Sequence, residues 1–164
     1  FNIGIDHAGS EIGQPTSFFV GSALNLNPKN LEIELKNYLR KKKAGSDFVL
    51  TQPIFDAKSA IQNLRWFREQ AHDQNIKVLV GILPLVTERH AAFLHNEVPG
   101  IIIPDEIIQR MKKAGTNSAK EGIRIAVELI EELRKEVQGV YLMPAFNRFD
   151  YVSEIIEAIK KKKL

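Results

Sequence analysis

The chain has no cysteine. That excludes a disulfide framework, a thiolate metal site and a cysteine nucleophile, and it fits a reducing, cytoplasmic setting. No apolar run approaches the roughly 18–20 residues that span a bilayer as a helix, so no membrane partner is expected. Residues 1–17 are polar and Gly-rich, without the apolar stretch of a secretory leader, so no signal peptide is expected. A chain that opens on Phe1 rather than Met reads as a piece of a longer one. Charge of one sign is also scarce. Lys plus Arg number 23 and Asp plus Glu 20, and four of those lysines form the run Lys160–Lys163. Without that run the count is 19 against 20, so the pI of 9.1 is a property of the tail. A nucleic-acid face needs a spread basic patch, and no such partner is expected. The histidines His7, His72, His90 and His95 lack metal-ligand spacing, and His90 and His95 are five apart rather than an i, i+4 pair, so no metal is expected. Neither a Gly-x-Gly-x-x-Gly turn, nor a phosphate-binding Gly-Lys-Ser/Thr loop, nor a Gly-x-Ser-x-Gly elbow occurs.

What is present is a repeated strand-then-helix unit in 164 residues, a length that suits one ordinary domain. Four short apolar runs have strand character: Thr16–Asn25, Asp47–Pro53, Lys77–Leu85 and Gly139–Phe146. Each is continuous rather than alternating, the pattern of a strand buried on both faces. Between them lie amphipathic helices. Asn30–Lys43 carries Leu31, Leu35, Tyr38 and Leu39 on one stripe and stops at Ala44-Gly45. Asp56 is placed to cap a helix whose inner face is Ala60, Ile61, Leu64, Phe67 and Ala71. Thr87 is placed to cap a short helix holding Ala91 and Leu94. A further helix follows Pro104 and runs to Ala114. Ser118-Ala-Lys-Glu121 has the capping-box pattern, opening a long helix with Ile123, Ala126, Val127, Ile130, Leu133 and Val137 on one stripe. Asp150 is placed to cap the last helix, Tyr151–Lys162.

The order βαβαβ, a helical insertion, then βα argues for a parallel sheet with crossover helices. It suits either an open doubly wound sheet or part of an eight-stranded barrel. Eight βα units need about 200–250 residues, so a barrel reading makes the chain its second half. Half a barrel leaves two unpaired edges and an uncovered inner face, which calls for the missing half or a second copy; a homo-oligomer is expected.

In either architecture ligand groups gather at the carboxyl ends of the strands. Gln52, in Thr-Gln-Pro-Ile-Phe-Asp after a strand, is a neutral amide that donates and accepts at once, which suits the mixed edge of a heterocycle such as a pterin. Its plainer role is to satisfy a neighbouring backbone group. Arg148 offers a planar fork for a carboxylate or phosphate, or else pairs with Asp150 or Glu154 at the surface. Glu34, Asn37 and Lys41 share one helix face, with Arg40 beside Asn37. That face has the polarity to hold a nucleotide's ribose and phosphates, and equally that of a solvated helix end.

Several segments resemble the methylenetetrahydrofolate reductase family. They are Ala44-Gly45-Ser46-Asp47-Phe48-Val49-Leu50-Thr51-Gln52-Pro53-Ile54-Phe55-Asp56, Val80-Gly81-Ile82-Leu83-Pro84-Leu85 with Asn96-Glu97-Val98-Pro99-Gly100-Ile101, and Gly139 through Arg148. The opening, Asp6-His7-Ala8-Gly9-Ser10 through Phe19, is most similar to the reductase part of bifunctional chains that carry a homocysteine methyltransferase in front. The resemblance runs in order along nearly all residues. It implies a (β/α)8 barrel, of which residues 1–164 are the second half: four parallel βα units with an extra helical insertion before the last strand. It implies FAD as cofactor, NAD(P)H as hydride source and reduction of 5,10-methylenetetrahydrofolate to 5-methyltetrahydrofolate.

By the same resemblance Gln52 and Arg148 match folate-site residues, and His90 falls where the family has a substrate-contacting glutamine. Leu94 falls near a folate-contacting phenylalanine, with Phe93 one residue away. Glu34, Asn37, Arg40 and Lys41 fall on the helix that contacts FAD, and Gly21, Ala23 and Asn27 along the strand and loop near the flavin. The family's proton-donating glutamate and the aspartate near the flavin belong to the first half, so no catalytic residue is assigned here. Two readings of another class remain: a non-catalytic, self-assembling βα module, and a phosphate-substrate aldolase, which lacks a Schiff-base lysine after a strand. Protonation of the folate methylene nitrogen needs the missing acid, and enclosing a flavin needs both halves. The purified chain is therefore expected to be inactive and to hold FAD weakly if at all. A visible absorbance spectrum checks this, and stoichiometric yellow cofactor would contradict it.

Overall fold

The computed structural model describes residues 1–161. The elements follow in the order β1 (Gly21–Leu24), α1 (Leu31–Lys43), β2 (Phe48–Pro53), α2 (Ala57–Gln70), β3 (Val78–Ile82), α3 (Glu88–Glu97), α4 (Asp105–Ala114), α5 (Ser118–Leu133), β4 (Gly139–Leu142) and α6 (Phe149–Lys161). The four strands form one parallel sheet in chain order, β1-β2-β3-β4. When parallel strands follow chain order, right-handed crossovers deliver every connecting helix to the same face. Burial shows the result. Leu24, Val49, Thr51, Val78, Val80 and Ile82 are buried, whereas Ala23, Leu50, Leu79 and Tyr141 at the alternate positions are only partly covered or exposed. The strands are thus sealed on one side, not on both as their continuous apolar character suggested. At the amino end of the open face Phe19 stacks on Phe48 at 5.1 Å between centroids, and Lys77 Nζ lies 5.7 Å from the Phe19 ring.

The strands are shorter than the apolar runs, for identifiable reasons. Residues 16–20 leave the sheet because side chains take their backbone groups: Asn2 Oδ1 accepts from Phe18 N at 2.9 Å, and Asp47 Oδ2 from Val20 N at 2.7 Å. Pro84 has no N–H to continue β3. Beyond β4, Pro144 leads into a 3-10 turn, Ala145–Asn147, in which Phe146 and Asn147 have φ of +53° and +59°.

Helix starts at Asn30, Asp56 and Thr87 form as the sequence implies. Each side chain accepts from the N–H three residues on, at 3.0, 3.0 and 3.1 Å. Two expected caps do not form. Ser118 already has helical backbone angles, because the 3-10 turn Gly115–Asn117 runs from α4 straight into α5. Its hydroxyl donates to the Met111 and Gly115 carbonyls instead. Glu121 turns to Arg110 Nε at 2.7 Å and to Arg124. Asp150 lies inside the first turn of α6 and grips Arg148. Lys162, the expected end of that helix, lies outside the described residues. In α1 only Tyr38 is buried, and Leu39, expected on the inner stripe, is 41 % exposed.

The insertion before the last strand is α3, α4 and α5 in succession. Here α5 is buried more widely than one stripe, with Gly122, Ile125 and Leu129 added to the expected positions, because α2, α4 and α6 all pack on it. Val137 falls beyond its end. Gly122 marks the tightest approach: a Cβ there would sit 1.7 Å from the Leu85 carbonyl oxygen in the loop after β3. Backbone cannot move aside as a flexible side chain can. Gly122→Ala is expected to cost about 3 kcal/mol and to lower Tm by roughly 6–12 °C; a thermal melt within 2 °C of the parent, as roughly expected of a surface change, would refute the close approach.

Candidate functional site

The rim at the carboxyl ends of the strands holds three neighbouring clusters rather than one. The first lies between α1 and the loop after β1. Lys41 Nζ donates to the Ala23 carbonyl at 2.6 Å and lies 3.9 Å from Glu34. Glu34 Oε1 accepts from Asn25 N at 3.1 Å, and Asn37 donates to its other oxygen at 3.4 Å. Asn27 N bonds Asn25 Oδ1 at 2.8 Å. Ala23, Asn27, Glu34, Asn37 and Lys41 therefore meet at one strand mouth. Arg40 reaches Asn37 Oδ1 only at 3.5 Å and is exposed. A carboxylate, a carboxamide and a lightly held guanidinium on one face fit the ribose hydroxyls and phosphates of a dinucleotide; Lys41 is already engaged with the backbone.

The second cluster is built on β2. Between the pairs Leu50–Leu79 and Pro53–Gly81 this strand carries one residue more than β3, a bulge. Gln52 emerges from it exposed, with its carboxamide over Gly100 in the loop between α3 and α4. Thr51, buried beside it, accepts from Gly81 N at 3.1 Å and donates to the Gln52 carbonyl at 2.7 Å.

The third is a groove of about 540 Å³ lined by Leu83, Thr87, Arg89, His90, Phe93 and Phe146, with Ala145. His90 is 9 % exposed, and its ring meets Phe146 edge-on at 4.9 Å. Its Nδ1 accepts from Val86 N at 3.3 Å, so the neutral ring carries its proton on Nε2. Burial pushes this imidazole below its usual range. Leu94 is buried in the core, and Phe93, 57 % exposed, is the residue that lines the groove. An aromatic, mostly apolar slot of this kind can take a flat ring, with Arg89 at its border.

Arg148 stands apart. Its guanidinium makes a forked contact with Asp150, 2.9 and 2.6 Å from Nε and Nη2, and lies 3.8 Å from the Tyr151 ring. That places it in a cleft between α5 and α6 beside Lys120 and Glu154. Among the described cavities none is lined by both Gln52 and Arg148. The surface-pair alternative for Arg148 is the contact observed. Reasoning from sequence also passed over Phe146, Gly100 and Tyr141. The local signals were two turn-forming patterns, Pro99-Gly100 and Pro144 two residues ahead of Phe146. Among the described residues there is no group of His, Cys, Asp and Glu that could hold a metal ion, and no helix long and apolar enough to cross a membrane.

A four-stranded parallel α/β sheet with polar groups at its carboxyl ends is consistent with a TIM-barrel-like fold. The family described as methylenetetrahydrofolate reductase matches residues 17–160, and the chain belongs to that family. A solved structure described as an uncharacterized protein from Clostridium thermocellum that binds two copies of 5-methyl-5,6,7,8-tetrahydrofolic acid superposes with a TM-score of 0.66 at 15 % identity. The match covers 89 % of this chain and 54 % of that one, so the chain spans about half the length of that structure. At that identity the likeness is one of fold.

His90 supplies a pH test of the groove. Its pKa is lower folded than unfolded, so its contribution to stability is complete above about pH 6.5 and is lost as pH falls through the folded value. Urea unfolding at pH 7.5, 6 and 5 is expected to show a shallower acid decline in His90→Gln than in the parent; equal slopes would contradict the buried neutral imidazole.

Proposed function

We propose that residues 1–164 are the second half of a (β/α)8 barrel that reduces 5,10-methylenetetrahydrofolate to 5-methyltetrahydrofolate with NAD(P)H. The observation that carries this reading is the family match over residues 17–160, laid on a sheet whose carboxyl rim presents Gln52 at the end of β2 and an aromatic groove after β3. FAD, when bound, supplies hydride transfer between the nicotinamide and the folate. Glu34, Asn37 and Arg40 hold its ribose and phosphates, with Lys41 fixing the adjoining loop and Ala23 and Asn27 lining it. Gln52 meets the donor and acceptor edge of the pterin. The ring of the folate's aminobenzoyl part lies between Phe93 and Phe146, with His90 Nε2–H as a donor. Arg148 takes a carboxylate of the glutamyl end in place of that of Asp150, which requires it to leave the forked pair and the cleft between α5 and α6 where it lies. The acid that protonates the substrate comes from the other half. A homocysteine methyltransferase domain ahead of the reductase is the arrangement its opening residues suggest.

The exposed Ala23 and the half-buried Leu50, Leu79 and Tyr141 favour a second reading, a non-catalytic module that completes its sheet with another copy. NMR titration with 5-methyltetrahydrofolate, with sedimentation in parallel, separates the two. The folate reading expects saturable shifts at Gln52, Phe93 and Phe146, and an affinity reduced roughly tenfold by Gln52→Ala, the effect of about one lost hydrogen bond. No shifts there, together with a stable dimer, would favour the module.

A further inference from the structure

The carboxamide of Gln52 rests over Gly100, and side chains outside the rim pair the backbone around it. The extra residue in β2 interrupts the regular ladder, and side chains pair three of the backbone groups around it. Gly81 N–H goes to Thr51 Oγ1, the Thr51 hydroxyl donates to the Gln52 carbonyl, and the Tyr141 hydroxyl donates to the Thr51 carbonyl. Tyr141 reaches across because position 81 is glycine: a Cβ there would sit 2.8 Å from the Tyr141 hydroxyl oxygen. Burial raises the Tyr141 pKa, which keeps the hydroxyl a donor. On the other side Gly100 has φ of +83°, and a Cβ on it would sit 2.8 Å from Gln52 Oε1 and 3.5 Å from Nε2. The carboxamide occupies the space that any other residue at 100 would fill.

We propose that Tyr141 and Gly100 are positioning residues for Gln52: Tyr141 pins the bulge that aims it, and Gly100 leaves the surface on which its carboxamide rests. Neither touches a ligand in this arrangement. The inference deepens the reading of Gln52 as a ligand-contacting residue and rests on it only for its consequence in binding.

The test is the Gln52 side-chain amide signal in ¹⁵N-labelled protein. Tyr141→Phe and Gly100→Ala are each expected to move it, and Tyr141→Phe to speed exchange of the Gly81 amide roughly tenfold. Gly45→Ala is the control: Gly45 has φ of +97° with nothing within 4 Å of its Cβ position, so it carries the backbone strain without the contact. Thr51→Val removes the same lock from its other end and serves where Tyr141→Phe does not fold, with Thr51→Ser expected to restore the parent signal. Unmoved Gln52 signals in the folded variants, or equal movement in Gly45→Ala, would overturn the proposal. In binding, Gly100→Ala is expected to weaken 5-methyltetrahydrofolate as much as Gln52→Ala, with no further loss when the two are combined. Additive losses would also overturn it. A parent chain that binds no folate would remove the folate reading and leave the amide signals to decide the positioning.

Discussion

Everything in this structure follows from a parallel sheet laid down in chain order. Because each crossover has the same hand, α1, α2 and α5 share one side of the strands, and the buried core grows there: Val49, Val78, Val80 and Ile82 under Leu64, Phe67, Ile130 and Leu133. The same constraint leaves the alternate positions of the strands without a helical layer and both outer strands with unpaired edges. An unpaired parallel edge is a surface that other chain or another molecule can extend. The open face and the chemistry of the rim are thus two consequences of one topology.

At the rim, the local departures from regularity do the positioning. Around the bulge in β2, side chains of Thr51 and Tyr141 pair the buried Gly81 N–H and the part-buried carbonyls of Gln52 and Thr51, and an unsatisfied buried group costs about 1–3 kcal/mol. The left-handed turn at Phe146 and Asn147 has the same character. It puts an aromatic side chain, 70 % exposed, opposite Phe93 and against His90 instead of continuing the strand. A bulky residue in that region of backbone space is uncommon, and such positions concentrate where a site is held in shape by its surroundings. The groove, the exposed Gln52 and the polar face of α1 lie along a single edge of the sheet, while the Arg148 guanidinium rests on the outer side of the last loop.

The element order and the parallel class were legible because they depend on local pattern. Apolar runs broken by turn residues gave four strands, the 3.6-residue stripes gave the helices, and Asn30, Asp56 and Thr87 marked helix starts correctly. Some misplaced features depended on partners distant in sequence, and others, at Ser118 and Asp150, on contacts within a few residues. Asn2 and Asp47 draw residues 16–20 out of the first strand. Arg110 takes Glu121 away from its capping role, and the turn before Ser118 removes the free helix end a capping box needs. Of the site, Glu34, Asn37 and Lys41 could be placed on one face by spacing alone, and the structure brings them to β1. Gln52 and Arg148 were found as residue types, but their directions were not readable.

The sequence by itself determined the alternation of strand and helix, the family and the residue types available at the strand ends, because these rest on short-range periodicity and on ordered motifs. Only the tertiary structure decided which way those residues point. A one-residue bulge, a glycine under a carboxamide and a tyrosine reaching across a neighbouring strand are contacts between segments 30 to 90 residues apart, and no local pattern encodes the space that one segment leaves for another.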